Sequence, residues 1–510
     1  MTLSPETPPP EHVDVLIVGA GISGIGAAWH LQHQTPGKSF VVLDALESFG
    51  GTWLTHRYPG VRSDSDLYTF GYRFKSWTGD PIASGEAILD YLGEVIAEHD
   101  LARHIRYRHR IMSAAWSSAE RQWTVRVART DTGAVVTFTT DFLWMCQGYY
   151  RHAEGYTPDW PNMAAYKGRV VHPQTWPEAL DYKDKTILLI GSGATAATLL
   201  PALAAGARHI TLLQRSPTYF IPGRNANDLA DQLRALEVDP AWVHEITRRK
   251  ILQDQAAFTR RAFEEPQAVK QELLAGVSAL VGPALTEKHF TPRYLPWRQR
   301  IAFVPEGDLF QAVLAGKASV VDGEIETFTE TGVRLASGER LDADIVITAT
   351  GFNISVLGDI AFSVDGRPVD PAETLTYRGM RFTGLPNLVW IFGYFRASWT
   401  LRVDLVADFV CRLLNHMDAS GARQVEVEPG AAEAGMARLP WADPENFNPG
   451  YLMRGLAALP RRGDRPDWQH TQDYWAERTA LPAVDLDGPE FVYDRTAAAL
   501  EAPASEATAA

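Results

Sequence analysis

Apolar runs, glycine-rich turns and helical periodicity follow one another in the same order at two places in the chain. The apolar run 13–18 (VDVLIV) precedes the turn 19–24 (GAGISG), a helical pattern and a second apolar run at 40–43 (FVVL). Residues 187–213 repeat this order around the turn 191–196 (GSGATA). Strand, turn, helix and strand in succession form a βαβ unit. The pattern therefore predicts an α/β fold with two Rossmann-like dinucleotide-binding domains.

The rest of the pattern adds further strands and one helical region. Apolar runs at 142–145, 344–348 and 388–392 each end in small residues, which predicts strands whose carboxyl ends can approach a ligand. Residues 225–281 show mostly helical periodicity and are predicted to form a helical insertion in the second domain. Residues 186–207 carry no charged side chain, but the glycines within them favour a buried strand and helix over a membrane span.

Composition and charge restrict the function classes. Hydrophobic residues make up 45% of the 510 residues and charged residues 22%, as in ordinary globular proteins. The net charge of −14 argues against a nucleic-acid partner, because binding to a phosphate backbone needs basic patches. Neither of the two cysteines, Cys146 and Cys411, lies in a CxxC pair. This excludes a dithiol redox centre and a cysteine-rich metal site, and it predicts a reducing, cytoplasmic location.

The first turn has the residues that a dinucleotide needs at the correct spacing. Gly19 permits the tight turn, Gly21 lets a pyrophosphate approach the backbone, and Gly24 lets the helix pack closely on the strand. Asp44 ends the second strand of the unit, where a carboxylate accepts hydrogen bonds from ribose hydroxyls. This set predicts an FAD site, and the alternative is an incidental glycine turn.

A second glycine pair follows this unit. In the segment Gly51, Thr52 and Trp53, which Gly50 precedes, the glycines allow the backbone to approach a flat ring, and the indole can flank that ring. The alternative is a simple turn, because Gly-Gly pairs are common in turns.

The second turn differs from the first in two ways. Gly191 and Gly193 are present, but Ala196 stands in the place of the third glycine, which is a permitted variant. No acid ends the following strand, and Arg215 and Ser216 are found there instead. An arginine at this place suits the 2′-phosphate of NADP, so this site is predicted to bind NADPH. The alternative for Arg215 is a solvated loop arginine.

Residues 166–177 (YKGRVVHPQTWP) lie just before the second turn and contain Tyr166, Gly168, His172 and Trp176. This pattern resembles the fingerprint of the Baeyer–Villiger monooxygenases, the class B flavoprotein monooxygenases, with Tyr166 where the family usually has Phe. Other stretches resemble the same family: 51–53 (GTW), 57–60 (RYPG), 62–64 (RSD), 214–217 (QRSP) and 349–351 (ATG). The resemblance covers roughly residues 12–480 and is strongest to the ethionamide-activating group, through the run Pro-Trp-x-Gln-Arg at 296–300.

The resemblance implies roles for individual residues. Arg300 matches the catalytic arginine of the family, and Asp64 matches the acid that pairs with it. A cation that cannot lose its proton stabilises an anionic peroxide and the oxyanion formed when a ketone is attacked. Gln299 stands where many relatives carry a lysine that helps to hold the 2′-phosphate. Without the resemblance, Arg300 is better interpreted as a surface or phosphate-contacting arginine.

The fingerprint has a different implied role. The family places its histidine and tryptophan near the linker between the domains, so His172 and Trp176 are expected to be structural or hinge residues. A buried, hydrogen-bonded histidine is also the ordinary interpretation from the sequence.

The implied function is an FAD-dependent, NADPH-consuming Baeyer–Villiger monooxygenase. It converts small-molecule ketones to esters or lactones with O₂ through a flavin C4a-peroxide, and it oxidises sulfides as a side activity. One alternative is a flavin-containing monooxygenase that oxygenates nitrogen or sulfur. An alternative of another class is a flavin-binding redox sensor without a substrate.

The predicted division of the chain follows from the two turns and the resemblance. It consists of a disordered tail at 1–11, the first part of the FAD-binding domain at 12–150, the NADP-binding domain at 151–345 with a helical insertion at about 225–290, the return part of the FAD-binding domain with the C-terminal region at 346–500, and a disordered tail at 501–510.

Two further features of the sequence give only weak indications of a function. His30 and His33 lie one helical turn apart without a third ligand candidate, so we expect no metal site. We also expect no transmembrane segment. The segment 242–263 contains five basic side chains, namely Arg248, Arg249, Lys250, Arg260 and Arg261. A packed amphipathic helix is the favoured interpretation, and weak contact with an acidic membrane surface is the alternative.

Overall fold

A computed structural model describes residues 9–495 of the chain. The predicted C-terminal tail at 501–510 and most of the predicted N-terminal tail at 1–11 lie outside the described residues. The first strand begins at Glu11, the last residue of that predicted tail.

The α-helices of the described range lie between residues 22 and 480. They are α1 Ile22–Gln34, α2 Thr52–Thr55, α3 Leu67–Phe70, α4 Gly85–Glu98, α5 Ala194–Ala204, α6 Asp228–Ala235, α7 Pro240–Glu264, α8 Pro266–Val281, α9 Pro283–His289, α10 Asp308–Leu314, α11 Trp399–Ser420, α12 Gly450–Gly455 and α13 Tyr474–Ala480.

The strands form two main sheets and several short ribbons. They are β1 Glu11–Val18, β2 Phe40–Leu43, β3 Ile105–Arg106, β4 His109–Ser117, β5 Gln122–Arg129, β6 Val135–Met145, β7 Tyr150–Gly155, β8 Arg169–Val171, β9 Thr186–Ile190, β10 His209–Gln214, β11 Tyr219–Gly223, β12 Ile301–Pro305, β13 Ala318–Asp322, β14 Ile325–Phe328, β15 Gly332–Leu335, β16 Arg340–Asp342, β17 Ile345–Thr348, β18 Phe352–Ile354, β19 Ala361–Val364, β20 Arg367–Val369, β21 Thr376–Tyr377, β22 Arg381–Phe382, β23 Leu388–Trp390, β24 Ala422–Val427, β25 Leu439–Pro440, β26 Arg461–Arg462 and β27 Phe491–Arg495.

The first main sheet has the order β20-β19-β4-β5-β6-β1-β2-β3, and β23 also pairs with β6. Strand β1 lies inside this sheet, parallel to β2 and to β6. Val15, Leu16 and Ile17 on β1 are completely buried, as expected for a strand covered on both faces. Because β23 comes from the second half of the chain, the chain returns to the first domain.

The second main sheet contains five parallel strands in the order β13-β10-β9-β17-β8. Helix α5 connects β9 to β10, just as α1 connects β1 to β2 in the first sheet. Both predicted βαβ units are therefore present, and the predicted α/β fold class with two Rossmann-like domains is confirmed. Strand β17, which begins at Ile345, also belongs to this sheet.

Helices α6–α9 form the predicted helical region. In α7, Arg248 is buried and donates hydrogen bonds to the carbonyl groups of Tyr68 (2.8 Å), Thr69 and Gly71. Most of the other basic side chains of this segment pair with acids: Arg249 with Glu245, Lys250 with Asp254, and Arg261 with Glu272. These contacts support the packed helix over the membrane-surface alternative.

The uncharged stretch and the first histidine pair both lie within the described residues. The uncharged stretch 186–207 forms strand β9 and helix α5. None of the helices between residues 9 and 495 combines the length and the hydropathy that a membrane span requires. His30 is buried with its Nε2 3.1 Å from Asp404 Oδ1, so it belongs to a polar network between α1 and α11.

Candidate active site

The first glycine turn combines close packing with one open position. Gly19 has a φ of +101°, and a Cβ there would lie 2.9 Å from the carbonyl oxygen of Cys146. A Cβ on Gly24 would lie 1.8 Å from the carbonyl oxygen of Gly19, so only glycine lets α1 pack this closely. A Cβ on Gly21 would meet nothing closer than the Cα of Gly51 at 3.6 Å. The backbone at Gly21 is therefore open to a ligand.

The helices that follow both turns present free amide groups. Helix α1 has Gly21 as its N-cap and helix α5 has Gly193, and neither cap provides a side-chain hydrogen bond. No acidic residue lies in the first turn of either helix. Uncapped N–H groups and the helix dipole favour an anion at this place. Both turns therefore fit the pyrophosphate of a dinucleotide.

Asp44 contacts the first turn directly. Its Oδ2 accepts a hydrogen bond from the backbone N–H of Ala20 at 2.6 Å, and its Oδ1 accepts one from that of Leu46 at 2.8 Å. The side chain is only 6% exposed, and burial raises the pKa of the carboxyl group. Each carboxylate oxygen has a second acceptor site for a ribose hydroxyl. Asp44 thus also stabilises the turn, a role that the sequence did not suggest.

The segment Gly51–Trp53 packs against the first turn. Gly51 has φ +54° and ψ −115°, and a Cβ on it would lie 3.2 Å from the Cα of Gly21. The Thr52 hydroxyl lies 2.7 Å from that of Tyr150. The indole of Trp53 is half-buried and meets the ring of Phe70 edge-on. The second glycine pair therefore forms part of the first turn's surroundings.

The second turn is more open than the first. A Cβ on Gly191 would lie 2.3 Å from the carbonyl oxygen of Ala349, whereas a Cβ on Gly193 would meet nothing within 4 Å. Ala196 is buried, so the extra methyl group relative to Gly24 is accommodated. The Ser192 hydroxyl donates to the carbonyl oxygen of Ser216 at 2.6 Å, which ties the turn to the end of β10.

Arg215 follows β10 beside this turn. Its side chain is exposed, and it has no hydrogen bond or ion pair to any of residues 9–495. Gln299 is half-buried and directly precedes Arg300. Arg215 is thus free to bind an anion, and Gln299 offers no charge for this purpose.

Arg300 and Asp64 come together from positions 236 residues apart. Nε of Arg300 donates to Oδ2 of Asp64 at 3.1 Å, and Nη2 donates to Oδ1 at 3.1 Å, so the two side chains form a bidentate pair. Nη1 donates to the carbonyl oxygen of Phe395 at 3.3 Å. More than a third of the Arg300 side chain, 38%, stays uncovered by protein, and it can therefore meet a ligand.

Two tyrosines lie near the Arg300–Asp64 pair. The rings of Tyr149 and Tyr451 lie 6.1 Å apart, and Tyr149 stacks on Trp399. Burial raises the pKa of both phenols, and Arg300 acts on both in the opposite direction. Asp64 raises the pKa of Arg300, so the guanidinium stays charged. Neither tyrosine was predicted from the sequence; the available signal was the position of Tyr149 after a strand that ends in small residues.

The fingerprint histidine contacts backbone groups of two neighbouring segments. His172 Nδ1 accepts a hydrogen bond from the backbone N–H of Gln174 at 3.1 Å, and its Nε2 lies 3.2 Å from the carbonyl oxygen of Gly351. Burial lowers the pKa of His172, which fits a neutral ring that donates from Nε2. A Cβ on Gly155 would lie 1.8 Å from this ring. His172 therefore connects the fingerprint to the segment after β17.

The remaining fingerprint residues pack locally. The Tyr166 hydroxyl donates to the carbonyl oxygen of Ala343 at 2.9 Å, and a Cβ on Gly168 would lie 2.6 Å from that of Asp344. Trp176 is half-buried against the core of the second domain. The geometry fits the structural or hinge role that the resemblance implies.

The chain matches two family models and several known proteins. The model for an NAD(P)-binding Rossmann-like domain matches residues 17–80, and the model for a flavin-binding monooxygenase-like protein matches residues 81–228. The FAD-containing monooxygenase EthA of Mycobacterium tuberculosis is 46% identical over 467 residues, 91% of this chain and 94% of that protein. The chain belongs to the FAD-containing monooxygenase family. The probable FAD-binding monooxygenase AlmA of Acinetobacter baylyi is 41% identical over 95% of this chain and 97% of its own.

Solved structures share the fold of this FAD-containing monooxygenase. A steroid monooxygenase bound to NADP aligns with a TM-score of 0.74 at 24% identity, covering 95% of this chain and 100% of that one. An open structure of cyclohexanone monooxygenase gives 0.73 at 20% identity over 95% and 100%. The predicted family and enzyme class, a flavoprotein monooxygenase with FAD as its cofactor, are confirmed. The redox sensor without a substrate is not supported.

Proposed function

We propose that this monooxygenase consumes NADPH and O₂ and converts ketones to esters or lactones, with sulfide oxidation as a side activity. The observation that carries the proposal is the bidentate pair of Arg300 and Asp64, whose guanidinium is charged and only partly covered by protein. Steroid and cyclohexanone monooxygenases among the proteins of like fold support the ketone class.

The two turns divide the cofactors between them. Gly19, Gly21, Gly24 and Asp44 would hold FAD together with Gly51–Trp53, and the turn at 191–196 with Arg215 and Ser216 would hold NADPH. When bound, FAD supplies the redox chemistry, accepting a hydride from NADPH and passing electrons to O₂. The protein contributes position, charge and the exclusion of water. The division at 12–150, 151–345 and 346–500 stays part of this proposal.

Arg300 would stabilise negative charge during oxygen transfer. When a nucleophile attacks a ketone, charge develops on the carbonyl oxygen, and a fixed cation at that place lowers the barrier. Arginine keeps its charge in a site shielded from water, whereas lysine can lose its proton there. The half-buried rings of Tyr149 and Tyr451 lie near the guanidinium and limit its contact with water.

Asp64 would act as a positioning residue. Its two oxygens hold Nε and Nη2, so Nη1 of Arg300 points to the carbonyl oxygen of Phe395 and the guanidinium plane is fixed. Bidentate arginine–carboxylate pairs of this kind fix both direction and distance.

We also infer a cytoplasmic location. Cys146 and Cys411 are both buried free thiols, which is the usual state of cysteines in a reducing compartment.

The test replaces Arg300 by alanine in the FAD-loaded enzyme. We expect R300A to bind FAD and to be reduced by NADPH without O₂ at a rate close to that of the wild type. The yield of ester from phenylacetone should fall at least about 100-fold, because a preorganised charge at a developing oxyanion contributes this much. The measurement is product analysis by gas chromatography beside anaerobic flavin reduction. Ester formation at the wild-type level would remove the proposal.

A second candidate is oxygenation of nitrogen or sulfur alone, which the flavin-binding monooxygenase-like match favours. In that case the wild type would convert a thioether to its sulfoxide and form no ester from any ketone. R300A would then leave sulfoxide formation largely unchanged.

A further inference from the structure

Arg454 is a cation that the proposed function has not used. It lies in the short helix α12, and its guanidinium carbon is 3.5 Å from the centre of the Tyr156 ring. Nη2 makes a long hydrogen bond of 3.5 Å to the carbonyl oxygen of Thr350. Across the described range it has no carboxylate within ion-pair distance. One face of the guanidinium is thus covered by an aromatic ring, while the side chain as a whole stays exposed.

The sheet order places this cation beside the second glycine turn. Strand β9 lies between β10 and β17, and the three strands are parallel. Their carboxyl ends lead to Arg215, to the turn at Gly191 and to the segment 349–351. Because neighbouring strands are about 4.8 Å apart, Arg215 and this segment flank the turn on opposite sides.

Two close approaches fix Arg454 to the β17 side of the turn. A Cβ on Gly351 would lie 3.2 Å from Nη2 of Arg454. A Cβ on Gly191 would lie 2.3 Å from the carbonyl oxygen of Ala349. The segment 349–351 therefore contacts both Arg454 and the second glycine turn.

The charges around Arg454 are unbalanced. Partial burial lowers its pKa, and Arg215 lowers it further, so the two cations act on each other across the turn. Two cations that face one turn favour an anion between them. The uncapped N-terminus of α5, at Gly193, faces the same place and adds to this preference.

We propose that Arg454 binds the pyrophosphate of NADP(H) from the side of β17, opposite Arg215 at the 2′-phosphate. In a Rossmann unit the adenosine ribose lies at the end of the second strand, here β10, and the pyrophosphate lies over the glycine turn. The β17 side is thus nearer to the pyrophosphate than to the 2′-phosphate. The proposal rests on the proposed use of NADPH, and it assigns a cofactor contact to the C-terminal part of the chain.

The test compares two variants on two dinucleotides, with binding measured by calorimetry on the FAD-loaded enzyme without a ketone. We expect R454Q to raise the Kd of NADP⁺ and of NAD⁺ by the same factor, about tenfold, since charge-assisted hydrogen bonds contribute on this scale. R215Q should raise the Kd of NADP⁺ alone. The probe 2′-AMP, which lacks a pyrophosphate, should lose affinity in R215Q and keep it in R454Q.

Controls separate this role from packing on Tyr156. R454K keeps the charge and should recover part of the affinity for both dinucleotides. R438Q removes another exposed arginine and should leave every Kd unchanged. FAD content and Tm show whether each variant is folded.

Three results would overturn the proposal. An effect of R454Q on NADP⁺ alone would assign Arg454 to the 2′-phosphate, and unchanged affinities would make it a packing residue. A wild type that binds neither dinucleotide would overturn both this inference and the proposed use of NADPH. A wild type that binds both but forms no ester would overturn only the proposed oxygenation.

Discussion

The two glycine turns follow the same plan, but the protein surrounds them differently. At the first, Gly24 cannot carry a Cβ because it would lie 1.8 Å from a backbone oxygen, and the buried Asp44 holds two backbone N–H groups. At the second, Ala196 replaces that glycine, a Cβ on Gly193 would meet open space, and Arg215 is exposed.

This difference matches two kinds of cofactor use. A turn that is enclosed and braced by its own carboxylate suits a cofactor that stays bound through every cycle. An open turn beside unpaired arginines suits a co-substrate that enters and leaves, with phosphate charge supplying much of its affinity. Under the proposed function, one topology thus serves a resident and an exchanging dinucleotide, and the side chains at the strand ends decide which.

The third position of the turns should matter most for the stability of the protein. Gly24→Ala should destabilise the protein by about 3 kcal/mol or more and greatly reduce the bound flavin, because the methyl group meets backbone that has little room to move. The reciprocal change, Ala196→Gly, should cost about 1 kcal/mol, as expected for glycine in a helix. Urea unfolding and the flavin absorbance per chain measure both. Equal losses in the two variants would show that the two turns are packed equally tightly.

Acid should destabilise the surroundings of the first turn through one buried histidine. His56 is buried just after the Gly51–Trp53 segment, and burial lowers its pKa to about 4 from the ordinary 6.5. At pH values between 4 and 6.5, the imidazole of His56 is protonated in the unfolded chain and neutral in the folded chain. The free energy of unfolding therefore falls as the pH drops from 6.5 to 4. The loss is up to about 3 kcal/mol.

A matched variant isolates this contribution. His56→Gln should flatten the slope of stability against pH in that window, since its side chain does not titrate, while a change at exposed His12 should leave the slope as it is. Unfolding curves at several pH values provide the measurement. An unchanged slope in the His56→Gln variant would assign the acid sensitivity to other groups.

The carboxylate at the first turn and the arginine at the second should also differ in their effect on stability. Asp44→Asn keeps the shape but turns one amide N–H₂ towards a backbone donor, so one buried N–H loses its partner. That loss costs about 1–3 kcal/mol. Arg215→Gln should change stability by less than about 0.5 kcal/mol, because the side chain is exposed. A large loss in the arginine variant would show that the second turn is braced as the first is.

Local patterns predicted much of the fold. The run 40–43 is a strand with the predicted bounds, and the glycine roles at Gly19, Gly21 and Gly24 agree with the space around each. These features depend on contacts between residues close in sequence, so spacing alone reveals them. The helical periodicity of 225–281 likewise corresponds to real helices.

The candidate site was harder to predict from the sequence than the fold. Arg300 and Asp64 are 236 residues apart, and only the family resemblance suggested their contact. Tyr149 and Tyr451 meet through the packing of the chain's return onto the first domain, which no local pattern records. Arg454 faces the second turn for the same reason. Long-range packing, and not propensity, decides these positions.

The smallest expected effect concerns the open position of the second turn. Gly193 has φ −78°, a conformation that alanine also adopts, and a Cβ there meets no atom within 4 Å. Gly193→Ala should therefore leave Tm and flavin content unchanged. The methyl group would occupy the space where the pyrophosphate approaches, so the Kd of NADP⁺ should rise about tenfold, or ~1.4 kcal/mol. Gly21→Ala, the matched change at the first turn, should instead reduce bound FAD and leave NADP⁺ affinity intact in the chains that keep it. If Gly193→Ala bound NADP⁺ as tightly as the wild type, the open space would not be the pyrophosphate site, and the contrast between the two turns would lose its functional meaning.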